Sequence, residues 1–119
     1  MKTITGIELI AAERSRQVAE EGWTPEHDEV HESGEMAKAA ACYALPIGFR
    51  QMRECDFMVE TARGLADPNS PMTVHSYVPL NWPWAPEWWK PTPDDRIREL
   101  TKAGALIAAE IDRLQRIKP

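Results

Sequence analysis

Two acids set the chemistry this chain can do. Glu32 and Glu35 open the stretch His31-Glu32-Ser33-Gly34-Glu35-Met36-Ala37-Lys38-Ala39-Ala40-Ala41-Cys42-Tyr43-Ala44. The alanines favour a helix. On that helix Glu32 and Glu35 share a sector with Met36, Ala39 and Tyr43. A carboxylate on an apolar stripe needs a partner. Two acids at i and i+3 lie roughly 5–6 Å apart and can share one cation. The same acids equally suit a first helical turn, where they complement the helix dipole. Both readings stand on residue types alone. Acids on inward helix faces, with no soft ligand beside them, suit a hard ion such as Mg²⁺, and such ions act with substrate phosphates.

Other residues fall into two kinds. His27 and His31 are spaced i, i+4 and could bind a metal together, but no third soft ligand is near, which favours surface histidines. Arg14 lies on the apolar stripe of the first helix and wants an acid or a phosphate. Glu99 sits at the edge of the last helix's stripe and Glu110 within it. They are 11 residues apart, roughly 16 Å along a helix, so they cannot hold one ion. One would join Glu32 and Glu35, and the other would pair with Arg14. No Gly-rich phosphate loop, Ser-His-Asp arrangement or dinucleotide fingerprint is present.

Four helices are expected to position these groups. Residues 4–21 carry Ile4, Ile7, Ala11 and Val18 on one stripe, with Glu8, Glu13 and Glu20 pointing elsewhere. Gly22 ends that helix as a C′ residue. Thr24 and Pro25 suit an N-cap and first position, so the second helix spans 25–45 and stops at Pro46. Residues 48–65 read as a short helix through Met52, Cys55, Met58, Val59, Ala62 and Leu65. Asp94 or Asp95 caps the last helix, 95–117, whose stripe is Leu100, Ala103, Leu106, Ile107, Ile111 and Leu114. Between the last two, residues 67–93 hold seven prolines and four of the five tryptophans. That is too proline-rich for a helix or central strand, and its aromatics argue for order. We read it as an ordered flap packing tryptophans onto the bundle. It either contacts a ligand or serves as a structural strap. The expected fold is all-α, a bundle of three to four main helices with a long Pro/Trp-rich loop.

The 119 residues suffice for one domain, 1–119, with one core. A net charge of −5 argues against a dedicated nucleic-acid binder. Cys42 and Cys55 lack metal-ligand spacing, and Cys42 among alanines reads as a core residue. No apolar run approaches the roughly 20 residues that span a bilayer. No secretory pattern opens the sequence, so a cytoplasmic location is expected.

Several stretches also resemble a known family. Glu32-Ser33-Gly34-Glu35-Met36-Ala37-Lys38-Ala39 looks like the E-x-x-E motif of the all-α MazG-type nucleoside triphosphate pyrophosphohydrolases, with Gly22-Trp23 and His27 resembling its approach. Glu13-Arg14-x-Arg16-Gln17, Glu21-Gly22-Trp23-Thr24-Pro25-Glu26-His27-Asp28, Trp82-Pro83-Trp84, Trp88-Trp89-Lys90-Pro91 and Lys102-Ala103-Gly104-Ala105-Leu106-Ile107-Ala108-Ala109-Glu110-Ile111 resemble small phage and prophage proteins regarded as MazG-like dATP/dGTP diphosphohydrolases. The resemblance covers most of the chain outside residues 47–78.

It implies hydrolysis of a nucleoside triphosphate to the monophosphate and pyrophosphate, with a preference for purine deoxynucleotides. It implies Mg²⁺, with Mn²⁺ as a substitute, held by Glu32, Glu35 and Glu99. The second motif, E-x-x-D, meets Glu99-Leu100-Thr101-Lys102, with lysine in place of the aspartate. Asp95, one turn earlier, is the replacement ligand. Lys38, Arg14 and Lys102 are the phosphate candidates, and Trp23 and Trp84 the base-stacking ones. A homodimer or homotetramer is implied as well. The Lys102 departure supports the alternative, a phage-encoded helical module that binds a partner or nucleotide without catalysis.

Overall fold

Helix α1, Gly6–Glu21, begins where the local chemistry dictates. The Thr5 side chain accepts from the Glu8 N–H while Glu8 accepts from the Thr5 N–H, a reciprocal capping box. Gly22 ends α1 in the left-handed region, φ 71°, and its N–H reaches the Gln17 carbonyl, as the sequence predicts. The computed structural model describes residues 3–22, 33–58 and 73–116. Residues 23–32, with Trp23, His27, His31 and Glu32, therefore lie outside the described residues. The expected helix over 25–45 is corrected at 33–34, where Gly34 turns left-handed, φ 78°, so Glu35 opens its own helix and does not continue one from Glu32.

Helix α2 runs Glu35–Ala44 and stops just before Pro46, because proline has no N–H to continue it. Its last carbonyls are covered by two guanidiniums. Arg50 donates to the carbonyls of Cys42, at 2.8 Å, and Tyr43, at 3.2 Å. Arg96 donates to those of Tyr43, at 2.7 Å, and Ala44. Cations at a helix C-terminus satisfy its orphan acceptors and complement its dipole.

The expected helix over 48–65 is corrected. A strand β1, Met52–Met58, pairs antiparallel with β2, Thr73–Pro79. Met52 lies opposite Pro79 and Cys55 opposite Ser76. The reason is the partner: Thr73, Val74, Tyr77 and Val78 favour extended backbone, and the pairing outweighs the weak 3.6-residue spacing in β1. Residues 59–65 of that expectation lie outside the described residues. The fold is thus mostly helical with a small two-stranded antiparallel sheet.

Helix α3, Arg96–Arg116, packs against both α1 and α2. Ala39, Ala40, Cys42 and Tyr43 of α2 meet Ala103, Leu106 and Ala109 of α3 in the core, joined by Val78, Trp82 and Trp89. Small side chains at this contact let the two helices approach closely. The loop expected over 67–93 is corrected at 73–79, which form β2, and 67–72 lie outside the described residues; from Leu80 on, the flap packs its tryptophans onto the bundle. Trp89 stacks on Tyr43 with centroids 4.6 Å apart, and Trp82 meets the same ring edge-on at 5.7 Å. Trp82 Nε1 donates to the Ala85 carbonyl, and the Tyr43 hydroxyl accepts from the Lys90 N–H. Buried aromatics keep their polar handles bonded in this way.

The predicted stripes of α1 and α3 need correcting. Ile4 and Ile7 are exposed, and Glu13, expected to face away, is buried with Gln17. In α3 the buried face is Glu99, Ala103, Leu106, Ala109 and Arg113, whereas Leu100, Ile107, Ile111 and Leu114 are exposed. Most of the large aliphatics form the outer face, whereas the inner one combines alanines with Leu106 and the paired charges of Glu99 and Arg113.

Candidate functional site

Alpha1 and α3 meet around an acid. Glu13 of α1 accepts from Arg16 at 2.8 Å through both oxygens, from Arg98 of α3 at 2.6 Å and from the Gln17 amide at 3.1 Å. Burial pushes its carboxyl up, but the hydrogen bonds and charges of Arg16 and Arg98 outweigh that and hold it at about 2. The same pairing raises the Arg16 guanidinium. This network floors a cleft of about 850 Å³.

The cleft is lined by four cations, Arg16 from α1, Arg98 and Lys102 from α3 and Lys90 from the flap, together with the acids Glu13 and Glu21. Aromatic rings stand among them: Tyr43, Trp82, Trp84 and Trp88. Trp88 is more than half exposed, and the Lys90 ammonium lies 5.5 Å from its ring centre. Lys102 Nζ donates to the Lys90 carbonyl at 2.8 Å and lies 5.4 Å from the Tyr43 ring centre. Burial, with repulsion from Arg98, pulls the Lys102 ammonium below its usual range. Pockets of this volume suit ligands of drug or cofactor size, and this lining offers charge and π-faces together.

A second buried acid has a different setting. Glu99 is 1% exposed. Its Oε1 accepts from Arg50 at 3.2 Å and Arg96 at 3.1 Å, and its Oε2 from the Thr92 N–H at 3.1 Å. Burial raises its carboxyl, but the two arginines lower it further and leave it below the ordinary carboxylate range. Arg50, itself buried, also lies over the Trp89 ring at 5.2 Å. Glu99 therefore ties β1's approach, α2, α3 and the flap into one ion-pair cluster.

The residues expected to bind metal separate here. Both Glu99 oxygens are held by donors, and an ion would have to displace two guanidiniums. Asp95 is exposed at the head of α3, where Oδ1 accepts from the Arg98 N–H at 3.0 Å. Its expected capping role holds, and that oxygen is committed to it. Glu99 and Asp95 thus do not fit the ligand set that the resemblance implies. Glu35 is the first residue of α2, half-buried, and its Oε1 accepts from the Ser33 N–H at 2.9 Å. Among the described residues no group of three or more His, Cys, Asp or Glu side chains gathers. Glu32 lies outside them. Glu110 accepts from Arg113 at 2.6 Å.

No protein-family model, curated protein or solved structure matches the chain. Of the residues that the resemblance implies for substrate, Lys102 and Trp84 line the cleft. Lys38 is exposed on α2 and Arg14 half-buried on α1; neither is among the cleft-lining residues. Trp23 lies outside the described residues. Sequence reasoning missed Glu13, Arg16, Gln17, Arg98, Lys90 and Trp88 as cleft residues. A signal for the first of these existed: Ile10, Glu13 and Gln17 recur at i, i+3 and i+7, the spacing of one helix face.

Proposed function

We infer that the cleft binds a nucleoside triphosphate, and that the chain is a hydrolase cleaving it with water to the nucleoside monophosphate and pyrophosphate. The observation that carries this reading is the lining of the cleft, where Arg16, Arg98, Lys90 and Lys102 stand among the aromatic rings of Tyr43, Trp82, Trp84 and Trp88. A polyphosphate is recognised by guanidinium and ammonium groups. A base stacks on an aromatic face whatever its identity, so the purine deoxynucleotide preference rests on the resemblance alone.

The likeness of Glu32-Ser33-Gly34-Glu35 to the E-x-x-E motif supplies the cleavage position and the ion. Mg²⁺ remains part of this reading through Glu32 and Glu35, without Glu99 and Asp95. Glu35 begins α2, next to the cleft-lining Met36.

A second reading, a nucleotide-binding module without catalysis, is favoured by one observation. The acid of the second motif is neutralised by Arg50 and Arg96, and a lysine stands where the motif's aspartate belongs. Incubation with each common ribo- and deoxyribonucleoside triphosphate, with and without Mg²⁺, separates the two. Pyrophosphate release from any of them supports the hydrolase. Tryptophan quenching by nucleotide without product supports the module. Orthophosphate without pyrophosphate overturns the cleavage position.

A further inference from the structure

Gln17 carries an acceptor that has no donor among the described residues. The residue is 2% exposed and lines the cleft. Its Nε2 donates to Glu13 Oε2 at 3.1 Å, while its Oε1 meets no hydrogen-bond partner and is sealed from water. Exchanging the two ends of the amide does not relieve this. Glu13, held at about 2, is ionised and only accepts, so the NH₂ end must face it. A buried acceptor without a donor is costly, and native folds keep few of them.

We propose that Gln17 determines specificity: its Oε1 accepts a hydrogen bond from a neutral donor on the nucleoside part of the ligand, an N–H of the base or a hydroxyl of the sugar. This rests on the nucleotide reading of the cleft. The phosphates do not serve, because their ionised oxygens accept and have no proton to give. The rest of α1 favours the same choice. Glu13, Gln17 and Glu21 recur four residues apart and all line the cleft, a row of acceptors along one helix face. Arg16 beside this row is already paired with Glu13, Glu20 and Glu21. The ammonium groups of Lys102 and Lys90 meet a carbonyl and an aromatic ring instead, so they suit the polyphosphate and the α1 row suits the nucleoside. The last torsion of a glutamine side chain is broad, so Oε1 can turn to a donor while one Nε2 proton stays on Glu13. A site that bonds a ligand N–H or O–H rejects an analogue lacking it, since the acceptor is then left bare again.

Titration calorimetry of the full chain without Mg²⁺, so that no turnover intervenes, tests this with four probes. They are dATP, its analogue with hydrogen in place of the 6-amino group, 2′,3′-dideoxyadenosine triphosphate, and tripolyphosphate, which has no nucleoside. The wild type should bind dATP about tenfold more tightly than one of the two analogues, and which one tells a base donor from a sugar donor. In Gln17→Met, close in volume but without the acceptor, that preference should fall below about threefold, with tripolyphosphate bound as before. Gln17→Leu replaces it if helical circular dichroism is lost, and is read in the same way. Equal Kd for dATP and both analogues on the wild type, or a preference that survives in the variant, overturns the proposal and leaves the nucleotide reading standing. Loss of tripolyphosphate binding in the variant marks a structural role and overturns it as well, as does a wild type that binds tripolyphosphate but not dATP. A wild type that binds neither fails the nucleotide reading, and the proposal with it.

Discussion

Arg98 on α3 and Glu13 on α1 meet at 2.6 Å across the cleft floor. The arginine is about one-third exposed and the carboxylate buried. Glu13→Gln leaves Arg16 and Arg98 facing each other without the acid between them. Losing one partner of a buried pair is costly, though the arginines' contact with water moderates it, and we expect a loss of about 2 kcal/mol. A nucleoside triphosphate should then raise the melting temperature of the variant by more than it raises that of the wild type. Thermal melts with and without nucleotide check both parts.

The same acid sets the low-pH limit. The folded chain holds Glu13 at about 2, below its ordinary 4.5, and Glu99 is lowered too. Unfolding therefore takes up protons in acid. Stability from both carboxylates is complete above 4.5, and that from Glu13 falls away between 4.5 and 2. Tyr43 acts at the other end. Burial, with a smaller opposing hydrogen bond from Lys90, pushes its hydroxyl to about 12 from 10. Its contribution is complete below pH 10 and is lost as pH rises through 12. Urea melts across the pH range should fall off at both edges, and Tyr43→Phe should remove the alkaline edge.

Arg50→Met strips one guanidinium from buried Glu99 and leaves the Cys42 carbonyl near the end of α2 without that donor. Arg96 still reaches Glu99 and Tyr43. Leaving a buried charge wholly unpaired costs about 3–5 kcal/mol, so with Arg96 retained the loss should be smaller, about 2 kcal/mol. Chemical denaturation should show that loss.

Gly104→Ala gains about 1 kcal/mol of helix propensity but drives a methyl into Ile10, and overpacking of this kind costs about 1–3 kcal/mol. We expect a net loss alone. Adding Ile10→Ala should cost less in that background than in the wild type. A double-mutant cycle measures the difference.

Glu35→Gln should abolish pyrophosphate release while the helical signal is kept. Were Glu35 only a dipole-complementing acid, the change would cost roughly 0.3–1 kcal/mol and no activity. Pyrophosphate assays beside circular dichroism decide between the two.

Helix ends were legible because a few local residues fix them: Gly22, Pro46 and Asp95. The flap was legible because Trp82 and Trp89 are too apolar to leave in water. Beta1 was not, since its extended form depends on β2, whose Val and Tyr residues lie about twenty positions later. Nor was the inner face of α3. Hydrophobicity ranks Ile107 and Ile111 above Ala103 and Ala109, whereas packing against the alanines of α2 selects small volume over apolarity. Glu99 was recognised as special on its helix, but its two arginines come from elsewhere in the fold, and no spacing announces them.

The Lys102 ammonium has two claimants. It holds the flap through the Lys90 carbonyl, and it stands in the cleft where an anion would settle. Its three protons can serve both only if the anion arrives along an unused direction. An anion that instead draws the ammonium forward takes it from Lys90, and the flap then loses a tether beside Trp88. Filling the cleft and slackening its aromatic rim become a single exchange of hydrogen-bond acceptors.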